Sequence, residues 1–485
     1  MENSFRIFNN VIPQNEIDKA ERAKAKFIRK FGDDSGREYH LTMTPTPVVG
    51  RLWNMSSLSL SDRPEAEFTD KSVIIGNIRM GFGHYRISMA LASAAYSLGY
   101  EPVWLDLNSM SDSTCGKVIR YQNDLYSMGS RWSQRYPLFN KLVWDPLNSE
   151  GFRKLSYNVS DEKVTELMAP IYRDIPRDTP FIAAHVWPAQ AAVHAGMTHV
   201  VNAVPDNWPM ALHLAQGAVH TVQTPSAYLG YRTLRGMRKG EVLSPMPGGD
   251  IYETGHYVDH ELVSNIDADC ARREARLTGG GPVRYLLTIG GAGAQAELYL
   301  HIINELLPEV KRGRAALLLN VGDHLDAWKY IRDKLGADAG GAVEHFGDMD
   351  AVMKFAGGAL DGEVRGMHVF YDDDIFAAVY TTNVLMRACD VLVTKPGELS
   401  FYPVPKLMIR HVGGHEVWGA IRAAEVGDST FECAAPEELD GMLRLFQADP
   451  AVICGLCEHI KSANKSGVYD GAYRVVRLAC QGKMD

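Results

Sequence analysis

No window of the 485-residue chain approaches eighteen consecutive apolar side chains, so the sequence predicts no transmembrane helix. The first residues, Met1-Glu-Asn-Ser-Phe-Arg, lack the apolar centre of a signal peptide. There is no excess of positive charge. A net charge of −9 excludes a general nucleic-acid binder, whose phosphate contacts need a basic face, but leaves room for a nucleotide ligand held by a few local donors. Cysteine is sparse: seven scattered residues, an odd number, fit a reduced cytoplasmic protein. Cys454-Gly-Leu-Cys457 has redox or metal spacing, yet no second CxxC follows and His459 is the one extra ligand nearby. It reads as two small residues packing on a helix. No metal site is expected. The dinucleotide fingerprint GxGxxG is also missing, because the first glycine loop is Gly81-Phe-Gly83-His84.

What is present is ordinary globular composition, 46% hydrophobic and 22% charged, in a chain too long for one core. Residues 1–70 read as an N-terminal extension. Within it, Asn15–Lys30 has strong helix formers and a basic end around Phe27 and Ile28. A solvated helix is the main reading, and peripheral contact with a membrane surface is the alternative. Thr42-Met-Thr-Pro-Thr-Pro-Val reads as extended or irregular, since each X-Pro step disfavours helix.

A first α/β domain is expected over 71–277. Ser72–Ile78 is a buried strand, Arg79–His84 a glycine loop, Tyr85–Leu98 a helix and Pro102–Asp106 a second strand. That βαβ unit predicts a parallel sheet. A helical insertion over about 110–178 is rich in aromatic residues and arginine (Tyr121, Tyr126, Trp132, Arg135, Tyr136, Phe139, Trp144). It reads as packing, with an acceptor-facing lid as the sharper alternative. Strands follow at Phe181–His185, at His199–Val204, which ends on Pro205-Asp206-Asn207-Trp208, and at Val219–Gln223. A turn is expected from Gly248 to His256 and a polar helix over Asn265–Arg276. Thr278-Gly-Gly-Gly-Pro282 is the most linker-like stretch.

A second domain is expected over 282–460, with strands at Val283–Ile289, Ala315–Val321, Met367–Tyr371, Val391–Thr394 and Lys406–Arg410. Its glycine turn, Gly290-Gly291-Ala-Gly293-Ala-Gln295, opens a helix whose N–H groups and dipole suit phosphate. Lys395-Pro-Gly397-Glu398 adds a cation at a second strand end, and His415-Glu416 follows a double glycine on the same edge. From the first domain, Gly81, Gly83, His84 and Asp206 would face them. Histidine near aspartate suits a general base for a hydroxyl, because its ordinary pKa lies close to neutrality. Residues 461–485 form a last helix, placed to cross back to the first domain. The fold class is therefore α/β, two Rossmann-like doubly wound domains facing across a cleft, with an N-terminal extension.

Taken together, Ser72–Leu98, Pro205–Trp208, Thr254–Val258, Gly290–Gln295 and Cys389–Gly397 resemble, in order and spacing, the GT-B glycosyltransferases over roughly residues 70–445. The chain looks most like the branch of monogalactosyldiacylglycerol synthases and the peptidoglycan lipid-intermediate N-acetylglucosaminyltransferase. That resemblance implies a nucleotide-sugar donor, most often a UDP-sugar, on the C-terminal domain. It also implies a small-molecule or lipid acceptor on the N-terminal domain, inverting transfer, and no metal or cofactor beyond the co-substrate. It places Gly83-His84 at the donor–acceptor junction, Gly290–Gly293 at the pyrophosphate, and Gly397 and Glu416 in the donor pocket. His84 or Asp206 would deprotonate the acceptor, while Lys395 would stabilise the departing diphosphate.

The match breaks at one place. Six residues past Gly397, where the family has a ribose-holding glutamate on a helix, stands Pro403, inside Tyr402-Pro-Val-Pro405. Those prolines cut the helix short and leave Glu398 as the nearby carboxylate, expected on the ribose side. Two other readings share the fold: a non-hydrolysing sugar-nucleotide 2-epimerase, and a non-catalytic scaffold on a decayed transferase.

Overall fold

The computed structural model describes residues 5–484 except residues 145 and 291–294. Gly291 and Gly293, expected at the phosphate, therefore lie outside the described residues. The remainder forms two doubly wound α/β domains facing across a cleft.

The first sheet has eight described strands: β1 (His40–Pro45), β2 (Ser56–Ser61), β3 (Ser72–Asn77), β4 (Glu101–Asp106), β5 (Phe181–Ala183), β6 (Val200–Ala203), β7 (Val219–Val222) and β8 (Ile251–Glu253). Their spatial order is β8-β7-β6-β5-β3-β4-β2-β1, parallel except for the β1–β2 pair. The second sheet has β9 (Val283–Thr288), β10 (Ala315–Asn320), β11 (Val343–Phe346), β12 (Gly366–Tyr371), β13 (Val391–Thr394) and β14 (Lys406–Met408). Its order is β11-β12-β10-β9-β13-β14, all parallel. The central strands are buried on both faces, which is why they read as unbroken apolar runs.

Strand order reverses between β3 and β5 in the first sheet and between β9 and β13 in the second. Ligands bind open α/β sheets outside the carboxyl ends of strands at such switch points. The loops diverging there are Ile78–Phe82 and Ala184-His185 in one domain, and Gly290 and Lys395–Gly397 in the other.

Several expectations change. Residues 1–70 are not simply an extension, because β2 pairs with β4 and β1 with β2, which completes the first sheet. Their mixed polar and apolar pattern belongs to an edge hairpin, where Pro45 is tolerated. The Gln14–Phe31 helix is not a free basic helix: Phe27 and Phe31 pack on Tyr121, and Lys30 sits 3.4 Å from the centre of that ring. The turn expected over 248–256 holds β8, and β11 has no counterpart among the expected strands. β11 is a half-exposed edge with Glu344 and His345 at its centre, so it lacks the apolar run that marks a buried strand.

Helix Gly471–Gln481 returns to the first domain, where Tyr473 Oη meets His260 Nδ1 at 2.6 Å and Gln481 Nε2 donates to Tyr100 Oη at 3.2 Å. The domains are also joined through their interior. Buried Arg86, on the Gly83–Ser97 helix, donates to Asn383 Oδ1 at 2.7 Å, and Tyr402 Oη donates to Asp259 at 2.7 Å.

Downstream of β13 no helix forms. A four-residue 3-10 turn, Glu398–Phe401, gives way to the buried segment Tyr402–Pro405. The Lys406 ammonium caps that segment by donating to the Tyr402 and Val404 carbonyls, and it pairs with Asp428 at 2.8 Å with both side chains wholly buried. Two prolines cannot supply helix N–H groups, so the Lys406 ammonium satisfies the carbonyls instead, with Asp428 as its counter-ion.

Candidate functional site

The two switch points enclose one cavity of about 500 Å³, within the range of small-ligand sites. The second domain contributes Gly290, Lys395, Gly397 and Glu398 from its strand-end loops, with His415 and Glu416 beyond. The first contributes Gly81, Gly83, His84 and Asp206. The structure thus brings together every described residue singled out for the site in the sequence.

The cleft is closed by the glycine loop of the first domain. Arg79 pairs with Asp323 at 2.6 Å, and Phe82 lies so close to Gly322 that a Cβ there would overlap its ring. Gly322 has φ +59, a backbone state that favours glycine, so two requirements coincide on that residue. Gly83 is equally constrained from across the cleft, since a Cβ on it would run into the Glu398 carboxylate. Glu398 is therefore turned onto the first domain's loop, a geometry that the ribose-side expectation did not contain. The short turn after β13 brings this about: Ser400 N–H closes onto the Gly397 carbonyl, and Glu398 sits at its first position.

Lys395 is partly buried and ion-paired with Glu416. Burial works against its charge, but Glu416 and then Glu398 outweigh burial and hold the ammonium above the ordinary lysine value. Glu416 is pinned further by the N–H groups of Val412 at 2.8 Å and Gly413 at 3.3 Å. Burial would raise its carboxyl, but Lys395 and His415 keep it below the usual range. This acid thus neutralises Lys395, the one lysine on the cavity wall among the described residues.

On the opposite wall, Asp206 accepts from buried His213 Nε2 at 2.9 Å. Burial would raise the Asp206 carboxyl, yet His213, with His415 and His84 beyond, depresses it well below the carboxylate range. Such a carboxylate stays ionised and is a weak base. His84 has the complementary state. Its Nδ1 lies 2.9 Å from the Ala184 carbonyl, which can only accept, so Nδ1 carries the proton and Nε2 keeps a lone pair. Burial lowers the His84 pKa against the pull of Glu398, and His185 packs edge-on at 4.8 Å to fix the ring. A neutral imidazole with a free Nε2 beside a fixed carboxylate can take a proton and hold the resulting charge.

The sequence singled out neither His213 nor Asn148; the helical insertion lines the cavity with Asn148 and with Tyr126 and Trp144, two of the aromatic residues noted in it. Tyr126 and Trp144 pack ring on ring at 5.3 Å, and Trp144 lies over Gly129, where a Cβ would not fit. Asn207 adds a buried Nδ2, and His415 an Nδ1, that have no hydrogen-bond partner among the described residues. Both line the cavity. Trp208 meets Trp418 across the cleft at 5.8 Å and lies under the Arg153 guanidinium.

Among solved structures, the chain is similar to Staphylococcus aureus MnaA in its co-structure with UDP, at 11% identity, with 84% of this chain and 95% of that one covered and a TM-score of 0.45. It is similar to UDP-GlcNAc 2-epimerase from Neisseria meningitidis bound to UDP-GlcNAc, at 11% identity, 84% and 97% coverage and a TM-score of 0.44. It is also similar to an alpha,alpha-trehalose-phosphate synthase (UDP-forming) from Burkholderia vietnamiensis, at 11% identity, 85% and 98% coverage and a TM-score of 0.41. No curated protein sequence matches it. Residues 6–233 match the family model described as Domain of unknown function (DUF6937), and residues 246–480 match Domain of unknown function (DUF6938).

Proposed function

We propose that this protein is an enzyme acting on a nucleotide-sugar, a UDP-sugar by preference, and that it transfers the sugar to a hydroxyl acceptor. The observation that carries the reading is the pairing of opposite chemistries across one closed cavity. A lysine and a strand-end glycine turn stand on one wall, and a neutral histidine beside an ionised aspartate on the other.

In this reading the diphosphate lies between the Gly290 turn and Lys395, which leaves Glu416 to meet the charge that develops on the leaving group. Glu398, a carboxylate, would repel phosphate and instead accepts from a sugar hydroxyl. His84 Nε2 takes the acceptor proton. Asp206, kept ionised by His213, stabilises the imidazolium as it forms. The two domains line the site from opposite sides, which brings donor and acceptor together.

The same enclosure also suits a reaction on a single substrate, and this observation favours the second reading, a sugar-nucleotide 2-epimerase. Calorimetry with UDP tests the shared premise of donor binding. Proton NMR of a UDP-sugar incubated with the protein then separates the two. A new epimer formed without acceptor supports the isomerase, and acceptor-dependent release of UDP supports the transferase. Absence of UDP binding refutes both and leaves the scaffold.

A further inference from the structure

One hydrogen bond fixes a nitrogen of an imidazole but not the plane of its ring. Nδ1 of His84 is held by the Ala184 carbonyl at 2.9 Å, which leaves the ring free to pivot about that bond. His185 blocks the pivot, standing at 87° to His84 with 4.8 Å between ring centres. The same two-point hold recurs behind it. His185 Nδ1 accepts from the Trp187 N–H at 3.1 Å and so caps helix Val186–His194. The indole of Trp187 then crosses the His185 ring at 72° and 4.9 Å. Trp187 is pinned in turn by its indole N–H, which donates at 3.0 Å to Asp161 Oδ2 on helix Leu155–Thr165.

The acid at the end of this row is what packing does not account for. Asp161, Trp187 and His185 are 6%, 5% and 3% exposed, and the neighbouring Glu162, not Asp161, takes the nearby His194 at 3.1 Å. Burial pushes the Asp161 carboxyl up to about 7 against the Trp187 hydrogen bond, and Glu162 adds to the rise. A carboxyl buried without a cation costs stability, and an apolar side chain would fill the same place without that cost. Groups of this kind concentrate where they serve a site. His185 itself stays out of the proton chemistry. Its Nδ1 is spent on the helix cap, and burial, with His84 and His213 nearby, holds its pKa well below the ordinary histidine value. It therefore remains neutral beside a His84 that gains a proton.

We infer that Asp161 is a positioning residue for His84: through the indole of Trp187 and the ring of His185 it sets the plane in which the His84 Nε2 lone pair meets the cavity. The ring geometry stands without the proposed reaction. Its benefit to proton transfer rests on that reading, in which His84 is the base.

Nitrogen NMR of the labelled histidine rings in the full chain tests this, with the His84 signals assigned by their absence in His84→Gln and with UDP calorimetry run on each variant. In the wild type, at a pH where the ring is neutral, His84 is expected as a single Nδ1–H tautomer. Asp161→Leu should move the His84 nitrogen signals towards the mean of the two tautomers, while circular dichroism and UDP affinity hold. Asp161→Asn keeps an oxygen for the Trp187 N–H and should restore the wild-type signals. Trp187→Phe keeps a ring beside His185 but has no N–H to donate; it should shift the signals as Asp161→Leu does, and it decides the matter if the leucine variant fails to fold. Unmoved His84 signals in Asp161→Leu or in Trp187→Phe overturn the inference. An Asp161→Asn no closer to the wild type than Asp161→Leu also overturns it, as does a wild type in the Nε2–H tautomer. The expected signals and shifts without UDP binding uphold the positioning and refute the donor reading alone.

Discussion

Replacing Lys395 by methionine tests the donor wall most directly, because the structure fixes both what is lost and what is left behind. The ammonium is paired with Glu416, which is itself anchored by the Val412 and Gly413 N–H groups and so cannot follow a departing partner. A charge-assisted hydrogen bond to phosphate contributes about 1.5–3 kcal/mol, which alone is about 10–100-fold in affinity. The variant also leaves the Glu416 carboxylate uncompensated on the same wall. A unit charge within about 6 Å of a phosphate costs about 3 kcal/mol at an effective dielectric constant of about 20. Lys395→Met is therefore expected to weaken UDP binding by at least about 1,000-fold in a calorimetric titration. Lys395→Met/Glu416→Gln, which removes the stranded charge, should recover about 100-fold of that loss. The reasoning fails if Lys395→Met binds UDP as the wild type does. It also fails if the double variant is no better than the single one, since Glu416 would then not be the counter-charge described here.

Three further outcomes are expected. His84 must be neutral to accept a proton, and burial lowers its pKa, so the acidic limb of kcat/KM should lie below pH 6.5, with activity lost as pH falls through the lowered value. His84→Gln should abolish that limb and cost about 10²–10⁴ in rate, and a limb at or above 6.5 would contradict the assignment. Gly83→Ala places a methyl group where the Glu398 carboxylate lies; because the obstacle is the end of a flexible side chain, the fold should survive while activity falls with displaced Glu398. Unchanged turnover in both Gly83→Ala and Glu398→Ala would remove Glu398 from the site. Asp428→Asn leaves the Lys406 ammonium buried without its counter-ion and should lower unfolding free energy by about 3–5 kcal/mol, read from the denaturant midpoint. A shift near zero would mean that the Tyr402 and Val404 carbonyls alone sustain Lys406.

The sequence by itself determined the strands, their order along the chain and the chemistry at their ends. A run such as Val391–Thr394 that stops at Lys-Pro-Gly states locally that a buried strand ends in an exposed turn, and the same holds at Ser72–Asn77 before Gly81 and Gly83. The weakly patterned edges escaped that logic. β1, β2 and β11 are half-solvated, and their membership of a sheet depends on neighbours far along the chain.

The site divides in the same way. Lys395, His84, Asp206 and Glu416 were legible as residue types at strand ends. Tertiary structure alone decided that Glu416 neutralises Lys395, that His213 fixes Asp206, and that the Ala184 carbonyl selects the His84 tautomer. It also turned Glu398 onto Gly83 and set Tyr126 and Trp144 as the roof. Hydrophobic period and turn chemistry are properties of neighbouring residues, whereas these pairings join positions up to several hundred residues apart and exist only once two sheets close on each other.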